Sequence, residues 1–294
     1  MEIVPQLQVL TAVAGGPNLL EAQLSAINKF FPASAKVLVV DDSRRRRHYS
    51  NNRVRGTAKR LREVADRYGA QYVRFPQYQH FMRNRLYQSP NPSPKFISYP
   101  SLRHADSLQY GLSVLGRGGE IQQLMILDSD MIPITYFKPE NYFAEAAVWF
   151  APMESFGHNG KIVYPMPVIF FADLAKAKST APMNWDYSLV DGVTLDTGGE
   201  MRPWMESNAH QSKKITGLYG NRWKWNKDSE LISLCLEEFL TFDATHNNEM
   251  QFCDFFLGTF IHLRGGSNWD PARRDVLQER INLFTDGIKN LINE

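Results

Sequence analysis

The residues best suited to chemistry are Asp128 and Asp130, in the stretch Gln122-Gln-Leu-Met-Ile-Leu-Asp-Ser-Asp-Met-Ile-Pro133. Leu124 to Leu127 run directly into them. A short apolar run bounded by polar residues predicts a strand buried on both faces. Side chains alternate along an extended chain, so the two carboxylates are expected to project to the same side. Neighbouring carboxylates at a buried strand end repel each other and lose solvation, and a cation between them relieves both costs. Hard oxygen ligands of this kind suit Mg²⁺ or Mn²⁺. Asp-x-Asp is a short pattern, and two acids at a strand end can also simply face water, so the surrounding elements must decide.

Those elements alternate. Leu7 to Ala14 reads as a first strand, broken by Gly15-Gly16-Pro17; Leu20, Leu24, Ile27 and Phe31 follow at helical spacing. Lys36 to Val40 is a second buried strand ending in Asp41-Asp42-Ser43. Leu61, Val64, Ala65 and Tyr68 mark a helix closed by Gly69, and Gln71 to Phe75 is a third strand stopped by Pro76. Residues 76 to 100 read as a long proline-rich loop. Ser101 is the expected cap of a helix carrying Leu102, Ala105, Leu108, Leu112 and Leu115 on one face. The carboxylate strand comes next. This order predicts an α/β fold: a Rossmann-type, mainly parallel sheet with helices on both faces. Ligands of such sheets bind beyond the carboxyl ends of the strands, near the switch point between the first and fourth. Asp41, Asp42, Asp128 and Asp130 all fall there.

The second half is less regular. Ile162 to Phe171 is strand-like despite Pro165 and Pro167, and Val193 to Asp196 is a short strand before Thr197-Gly198-Gly199. Leu231 to Leu240 reads as a buried helix and Phe255 to Leu263 as one strand ending at His262-Leu-Arg-Gly-Gly-Ser267. A last helix starts at Asp270-Pro271, with Leu277, Ile281, Phe284, Ile288 and Leu291 on its packing face. The chain divides into residues 1–135, which carry the regular alternation, and 136–294, the less regular half with the C-terminal helix, expected to form one continuous domain.

At 294 residues, 43% hydrophobic and 22% charged, the composition is that of a globular protein. The two cysteines, Cys235 and Cys253, supply neither a disulfide framework nor a zinc pattern. Neither a signal peptide nor a bilayer-length apolar run is visible, so a cytoplasmic location is expected. Net charge is +2, unevenly spread: residues 44 to 85 hold thirteen Lys/Arg against Glu63 and Asp66, a net +11 that leaves −9 elsewhere. Such asymmetry suggests a polyanionic partner or an acidic substrate.

Four pieces together resemble a GT-A-type glycosyltransferase: Val37-Leu-Val-Val-Asp-Asp-Ser43, Ser101 to Leu112, Ile126-Leu-Asp-Ser-Asp-Met131, and Ile261-His-Leu-Arg-Gly-Gly-Ser-Asn268. The first three follow one another as that family's nucleotide-sugar-binding half requires. The resemblance implies that Asp130 binds Mn²⁺ or Mg²⁺ directly, and that Asp128 shares the metal, directly or through water, or holds the ribose. It gives Asp41 or Asp42 a hydrogen bond to a uracil-type base and has Thr11 and Ala12 line the base pocket. Arg103 would contact the nucleotide, His262 would supply a third metal ligand, and Arg264 and Ser267 would hold the diphosphate of a UDP-linked sugar. An inverting enzyme also needs a carboxylate base. Asp196, Glu200 and Asp191 are the candidates, Asp196 first because it ends a predicted strand; capping a turn is its ordinary alternative.

Arg44, Arg45, Arg46 and Arg47 follow the second strand, and Arg83 and Arg85 stand among Tyr78, Phe81 and Tyr87. Cations interleaved with aromatics neutralise phosphates and stack on bases, so the acceptor hydroxyl could belong to a polyanion such as hydroxymethylated DNA. A solvated basic face is the plain alternative, as is an acceptor on a cell-surface or capsid glycan. Two other readings stay open: a nucleotidyltransferase, which can share the sheet and the paired acids, and a non-catalytic nucleic-acid-binding module.

Overall fold

The continuous apolar runs become the centre of one sheet. The computed structural model describes residues 6–43, 56–79, 100–218, 253–263 and 274–293. Strands β1 (Leu7–Val13), β2 (Lys36–Asp41), β3 (Gln71–Arg74) and β4 (Gln123–Leu127) pair in parallel in the order β3-β2-β1-β4. Every residue of β4 is buried, as a strand covered on both faces requires.

Helices α1 (Pro17–Phe30) and α2 (Thr57–Arg67) cover one face, where Leu20, Leu24, Ile27, Leu61 and Val64 join Val9, Val13 and Val39 in one cluster. Helix α3 (Pro100–Arg117) covers the other, with Leu108 among Leu10, Leu38 and Val40. The α/β, mostly parallel sheet read from the sequence is therefore the fold. Helix α3 begins at Pro100, whose missing N–H suits a first turn, so Ser101 lies inside the helix and the expectation that it caps it is corrected.

Beyond β4 the sheet continues with antiparallel pairs. After β5 (Met131–Pro133) and the short α4 (Pro139–Phe143), β6 (Val148–Gly157) and β7 (Gly160–Asp173) form a long hairpin whose second strand pairs with β4. Both prolines of the irregular stretch lie inside β7. The register slips there: Phe150 faces Phe170, but Ala151 faces Met166, so Pro167 drops out of the ladder with β6. Strands β8 (Ser188–Val190) and β9 (Val193–Leu195) form a two-residue hairpin through Asp191 (φ 50) and Gly192 (φ 77). Two positive φ values there make it the primed turn that Asp-Gly favours. The short α5 (Arg202–Ser207) precedes β10 (Ser212–Lys214), which closes the seven-stranded sheet as β10-β6-β7-β4-β1-β2-β3.

A second, antiparallel sheet runs β11 (Gly217–Leu218), β12 (Cys253–Phe256), β13 (Phe260–Leu263), β5. Residues 255 to 263 were expected to be one strand, but they belong to a hairpin. The chain reverses at Leu257 (φ 58) and Gly258 (φ 63), closed by Thr259 N–H donating to Phe256 O at 3.0 Å. The C-terminal helix α6 (Arg274–Asn293) buries Ile281, Phe284 and Ile288 against Leu19, Ala22 and Phe30 of α1 and against Ile132, Phe255 and Ile261. One apolar cluster therefore joins the first helix, the strand after the acid pair and the last hairpin. The expected helix over 231–240 and the start at Asp270-Pro271 lie outside the described residues. Among the described residues, no helix is long and apolar enough to cross a membrane.

Two glycines set a testable contrast. Gly198 (φ +95) has Pro165 O only 2.3 Å from where a Cβ would sit, whereas Gly258 (φ +63) faces open space. Gly258→Ala should cost only the left-handed strain, about 1–2 kcal/mol. Gly198→Ala should add an overpacking cost of about 1–3 kcal/mol, because a backbone carbonyl cannot swing aside. Urea unfolding of both variants checks this; equal losses would show that the Gly198 turn relaxes freely.

Candidate metal and nucleotide site

The paired acids sit on a turn, not on the strand. β4 stops at Leu127, and Met131 N–H donates to Asp128 O at 3.0 Å, closing a tight turn over Asp128-Ser129-Asp130. The expectation that strand alternation brings the two carboxylates together is thus corrected. The turn does so, because its i→i+3 closure folds both ends toward each other. Its backbone is pinned from three sides. Asp128 N–H donates to Val168 O at 3.0 Å, Leu263 N–H donates to Asp130 O at 3.0 Å, and the buried Gln23 amide of α1 donates to Asp128 O (2.6 Å) and Met131 O (2.8 Å).

Held this way, the acids strain against each other. Burial, then the charge of Asp130, pushes the Asp128 carboxyl above the usual carboxylate range, opposed by His104, His262 and the Ser129 N–H that donates to Asp128 Oδ1 at 2.8 Å. Asp130 is 2% exposed, and its Oδ1 accepts no aligned hydrogen bond among the described residues. The nearest cationic group is the His262 imidazole, with Nε2 3.3 Å from that oxygen.

His262 reaches this turn because β13 pairs with β5, His262 opposite Met131. Its other nitrogen, Nδ1, lies 3.4 Å from Asp254 Oδ2 on β12, directly across the hairpin. Burial by itself would lower the imidazole's pKa. The charge of Asp130, hydrogen bonding to Asp130 and Asp254, and the charge of Asp128 overcome it and push His262 up to about 10. The imidazolium form of His262 therefore offsets part of the negative charge that Asp130 and Asp254 place around it.

The acids that end β2 are already partnered. Asp41 Oδ1 accepts from Ser43 N–H (2.7 Å), and its Oδ2 accepts from the Tyr72 hydroxyl at 2.5 Å. Burial, followed by that hydrogen bond and the charge of Asp41, raises the Tyr72 phenol above its ordinary value. Asp42 pairs with the buried Arg103 at 2.5 Å, and Gln77 donates to Asp42 Oδ1 at 2.8 Å. Arg103 is neither solvated nor spare: its Nη2 is bound to Asp42 through both carboxylate and carbonyl, the latter at 2.6 Å. Thr11 and Ala12 lie within β1, not beyond it, paired with Val39 and Val40. Pairing of β1 with β4 ends at Leu10–Ile126, so the switch-point gap opens beside them. The buried Thr11 hydroxyl has no hydrogen-bond partner among the described residues.

The three candidate bases part company. Asp196 follows β9 and caps its own turn, accepting from Thr197 N–H at 2.6 Å, while its backbone N–H donates to the Tyr164 hydroxyl at 3.1 Å. Glu200 lies in the one-turn 3₁₀ segment Gly199–Met201 behind Gly198. Asp191 sits at the tip of the β8–β9 hairpin, bonded by Asn159 Nδ2 at 2.9 Å. Asn159 turns the β6–β7 hairpin, nine residues before the Val168 that touches Asp128; an extended strand covers about 30 Å in that span. Arg44, Arg45, Arg46, Arg47, Arg83, Arg85, Arg264 and Ser267 lie outside the described residues.

The chemistry of the site fits a divalent cation. No three His, Cys, Asp or Glu side chains form a finished coordination shell among the described residues. Mg²⁺ and similar ions, however, are commonly held by one or two carboxylates plus substrate phosphates and water. Neighbouring ligands about 2.1 Å from one such ion stand about 3 Å apart, close to the 3.3 Å between His262 Nε2 and Asp130 Oδ1. Asp130 supplies the buried oxygen that lacks an aligned donor.

Sequence reasoning passed over three residues here. Asp254 was hidden because the hairpin was read as one strand, although Gly258 in its middle was the signal for a turn. Gln23 stood out only as an amide within the apolar stripe of α1. His104 is adjacent to Arg103 on α3; its charge reaches Asp128, and its Nε2 is buried without a partner among the described residues.

Two stability tests follow for the metal-free protein. Asp128→Asn removes a carboxylate whose pKa is raised by folding, so in EDTA it should raise the melting temperature at pH 7–8. The His262 contribution has the opposite sense at neutral pH. A raised folded-state pKa gives stability fully present below about 6.5 and lost as pH rises through about 10. The stability gap between wild type and His262→Asn, from urea unfolding in EDTA, should therefore shrink steadily across that window; a constant gap would refute the imidazolium.

Comparisons place little beside this chain. No family model matches it, and no curated protein does. Among solved structures, the mannosyltransferase PcManGT from Pyrobaculum calidifontis, in complex with GDP-Man and Mn²⁺, is 10% identical, with a TM-score of 0.38 over 99% of this chain and 74% of that one. Glucosyl-3-phosphoglycerate synthase from Mycobacterium tuberculosis, in complex with phosphoglyceric acid, is 10% identical, with a TM-score of 0.39 over 71% of this chain and 69% of that one. S. aureus TarS 1-349 is 12% identical, with a TM-score of 0.38 over 71% of this chain and 57% of that one. Likeness this remote assigns nothing to individual residues.

Proposed function

We propose that the protein is a metal-dependent glycosyltransferase that moves a hexosyl or pentosyl group from a nucleoside-diphosphate sugar, UDP-linked, to an acceptor hydroxyl. The observation that carries this reading is the crowded acid turn at the switch point of the sheet, with the buried Asp130 Oδ1 lacking an aligned donor. Asp130 and His262 would hold Mn²⁺ or Mg²⁺, with Asp128 beside them directly or through water. Bound there, the cation would neutralise charge gathering on the departing diphosphate.

The chain's own residues have distinct tasks in this reading. Gln23 and Leu263 N–H fix the carbonyls of the acid turn, so the carboxylates need little reorganisation when donor arrives. His104 Nε2, buried and unpartnered among the described residues, is a donor available to a phosphate or sugar oxygen. The open backbone of β1 beyond Leu10 borders the nucleoside. For an inverting transfer we assign the base to Asp196, which Thr197 N–H orients. It would take the acceptor proton as the acceptor oxygen bonds to the anomeric carbon and the carbon–phosphate-oxygen bond breaks, the electron pair leaving with the diphosphate. The basic segment of residues 44 to 85 suits an acidic acceptor, for which hydroxymethylated DNA is the example to test.

The decisive assay supplies UDP-, GDP- and dTDP-sugars with Mn²⁺ and measures released nucleotide. Nucleoside diphosphate is the expected product; release of sugar 1-phosphate instead, or of pyrophosphate in a parallel assay supplied with nucleoside triphosphate and sugar 1-phosphate, would identify a nucleotidyltransferase, and salt-dependent DNA binding without turnover a binding module. Asp130→Asn should lower turnover at least about 10²-fold while the protein stays folded; full activity would remove the assignment. Mn²⁺ binding at pH 8 should release about one proton from His262, since the ligand must be neutral. Calorimetry in buffers of different ionisation heat reads that proton directly. Replacing Arg44 to Arg47 with Ala should weaken acceptor binding and flatten its salt dependence; an unchanged salt slope would leave those arginines as a solvated face.

A further inference from the structure

The His262 imidazole is gripped on both edges. Nε2 faces Asp130 at 3.3 Å and Nδ1 faces Asp254 at 3.4 Å. The two ring nitrogens point away from each other, so a cation on the Nε2 side, with Asp130, is out of reach of Asp254 on the Nδ1 side. Asp254 is 3% exposed, comes from the neighbouring strand β12, and is fixed opposite His262 by the hairpin register. A carboxylate in that position does one thing well. It accepts a hydrogen bond from Nδ1–H, which fixes the tautomer and leaves the Nε2 lone pair facing outward.

Resting on the metal reading above, we infer that Asp254 is a positioning residue: its carboxylate holds His262 as the Nδ1–H tautomer, presenting Nε2 as ligand to a divalent cation shared with Asp130. Asp254 does not itself touch the ion. The cation displaces the proton on Nε2, while the Nδ1 proton remains between ring and carboxylate. The tight turn at Leu257-Gly258 thereby gains a role. It sets the register that puts the carboxylate behind the imidazole, in a segment with no motif of its own.

Mn²⁺ affinity, read from the electron paramagnetic resonance of the free ion on the full chain, tests the arrangement together with far-UV circular dichroism. Asp254→Asn presents an amide that can donate to Nδ1 and so favour the wrong tautomer. It should bind Mn²⁺ about 10–100-fold more weakly with an unchanged fold. His262→Ala should weaken binding to a similar degree, and adding Asp254→Asn to it should cost nothing more. Wild-type affinity in Asp254→Asn, or a further loss in the double variant, overturns the inference; the latter would make Asp254 a ligand. Should the variants fail to fold, the wild-type protein loaded with Cd²⁺ decides alone. Cadmium coupling to His262 Nε2 with a retained Nδ1 proton is expected, and coupling to Nδ1 overturns the inference. A wild-type protein that binds neither Mn²⁺ nor Cd²⁺ removes the metal reading itself, and this inference with it.

Discussion

Everything near the switch point depends on a turn that holds two carboxylates closer than their charges would choose. At an effective dielectric near 20, two like charges 4 Å apart repel by about 4 kcal/mol, a sizeable fraction of a domain's net stability. The fold meets this by fixing the turn through its backbone. Gln23 binds two of its carbonyls and Leu263 N–H a third, while Ser129 N–H reaches one oxygen of Asp128 and the His262 imidazole lies beside Asp130. The side chains can thus be electrostatically uncomfortable without the turn opening.

That arrangement explains why the small antiparallel sheet exists where it does. A parallel sheet delivers strand ends and helix starts to one edge, but the Arg103 it brings there is already taken up by Asp42. The cation beside Asp130 comes from β13, whose pairing with β5 sets His262 opposite the residue next to it. Packing of Phe255, Ile261 and Ile132 against α1 and α6 locks the two sheets together. Residues 262 and 130 are therefore neighbours through a hydrophobic cluster that spans both ends of the described chain.

The legible parts of the sequence were those where burial and period agree. β1, β2 and β4 are covered on both faces, so their apolar runs announce them, and α1 to α3 show the stripes that cover the sheet. The second half was harder for reasons visible in single residues. Pro165 and Pro167 look like strand breakers, yet a register slip opposite Ala151 lets one strand pass through both. Leu257 sits at positive φ, where Leu is uncommon, so an apolar run concealed a hairpin and, with it, Asp254. The acid pair was found for its chemistry, but its geometry was misjudged: adjacent carboxylates on a turn and on a strand are indistinguishable in a sequence.

The two acid pairs at this edge of the sheet are met differently by the rest of the protein. Asp41 and Asp42 are as buried as Asp130, yet every carboxylate oxygen of theirs meets a donor from the protein: Ser43 N–H and Tyr72, Gln77 and Arg103. That pair is complete, and it serves to shape the turn after β2 and to anchor the start of α3. At the turn one strand over from β1, Asp128 accepts from Ser129 N–H, and Asp130 lies beside the His262 imidazole, whose other edge is turned to a third acid. The two pairs of acids, similar in sequence, thus differ in how fully the protein's own donors meet them. Every oxygen of the first is met by a fixed donor, whereas the second keeps a buried Asp130 oxygen without an aligned donor among the described residues. In the function proposed above, the cation and the donor's diphosphate would lie beside that oxygen, at the mouth of the gap between β1 and β4.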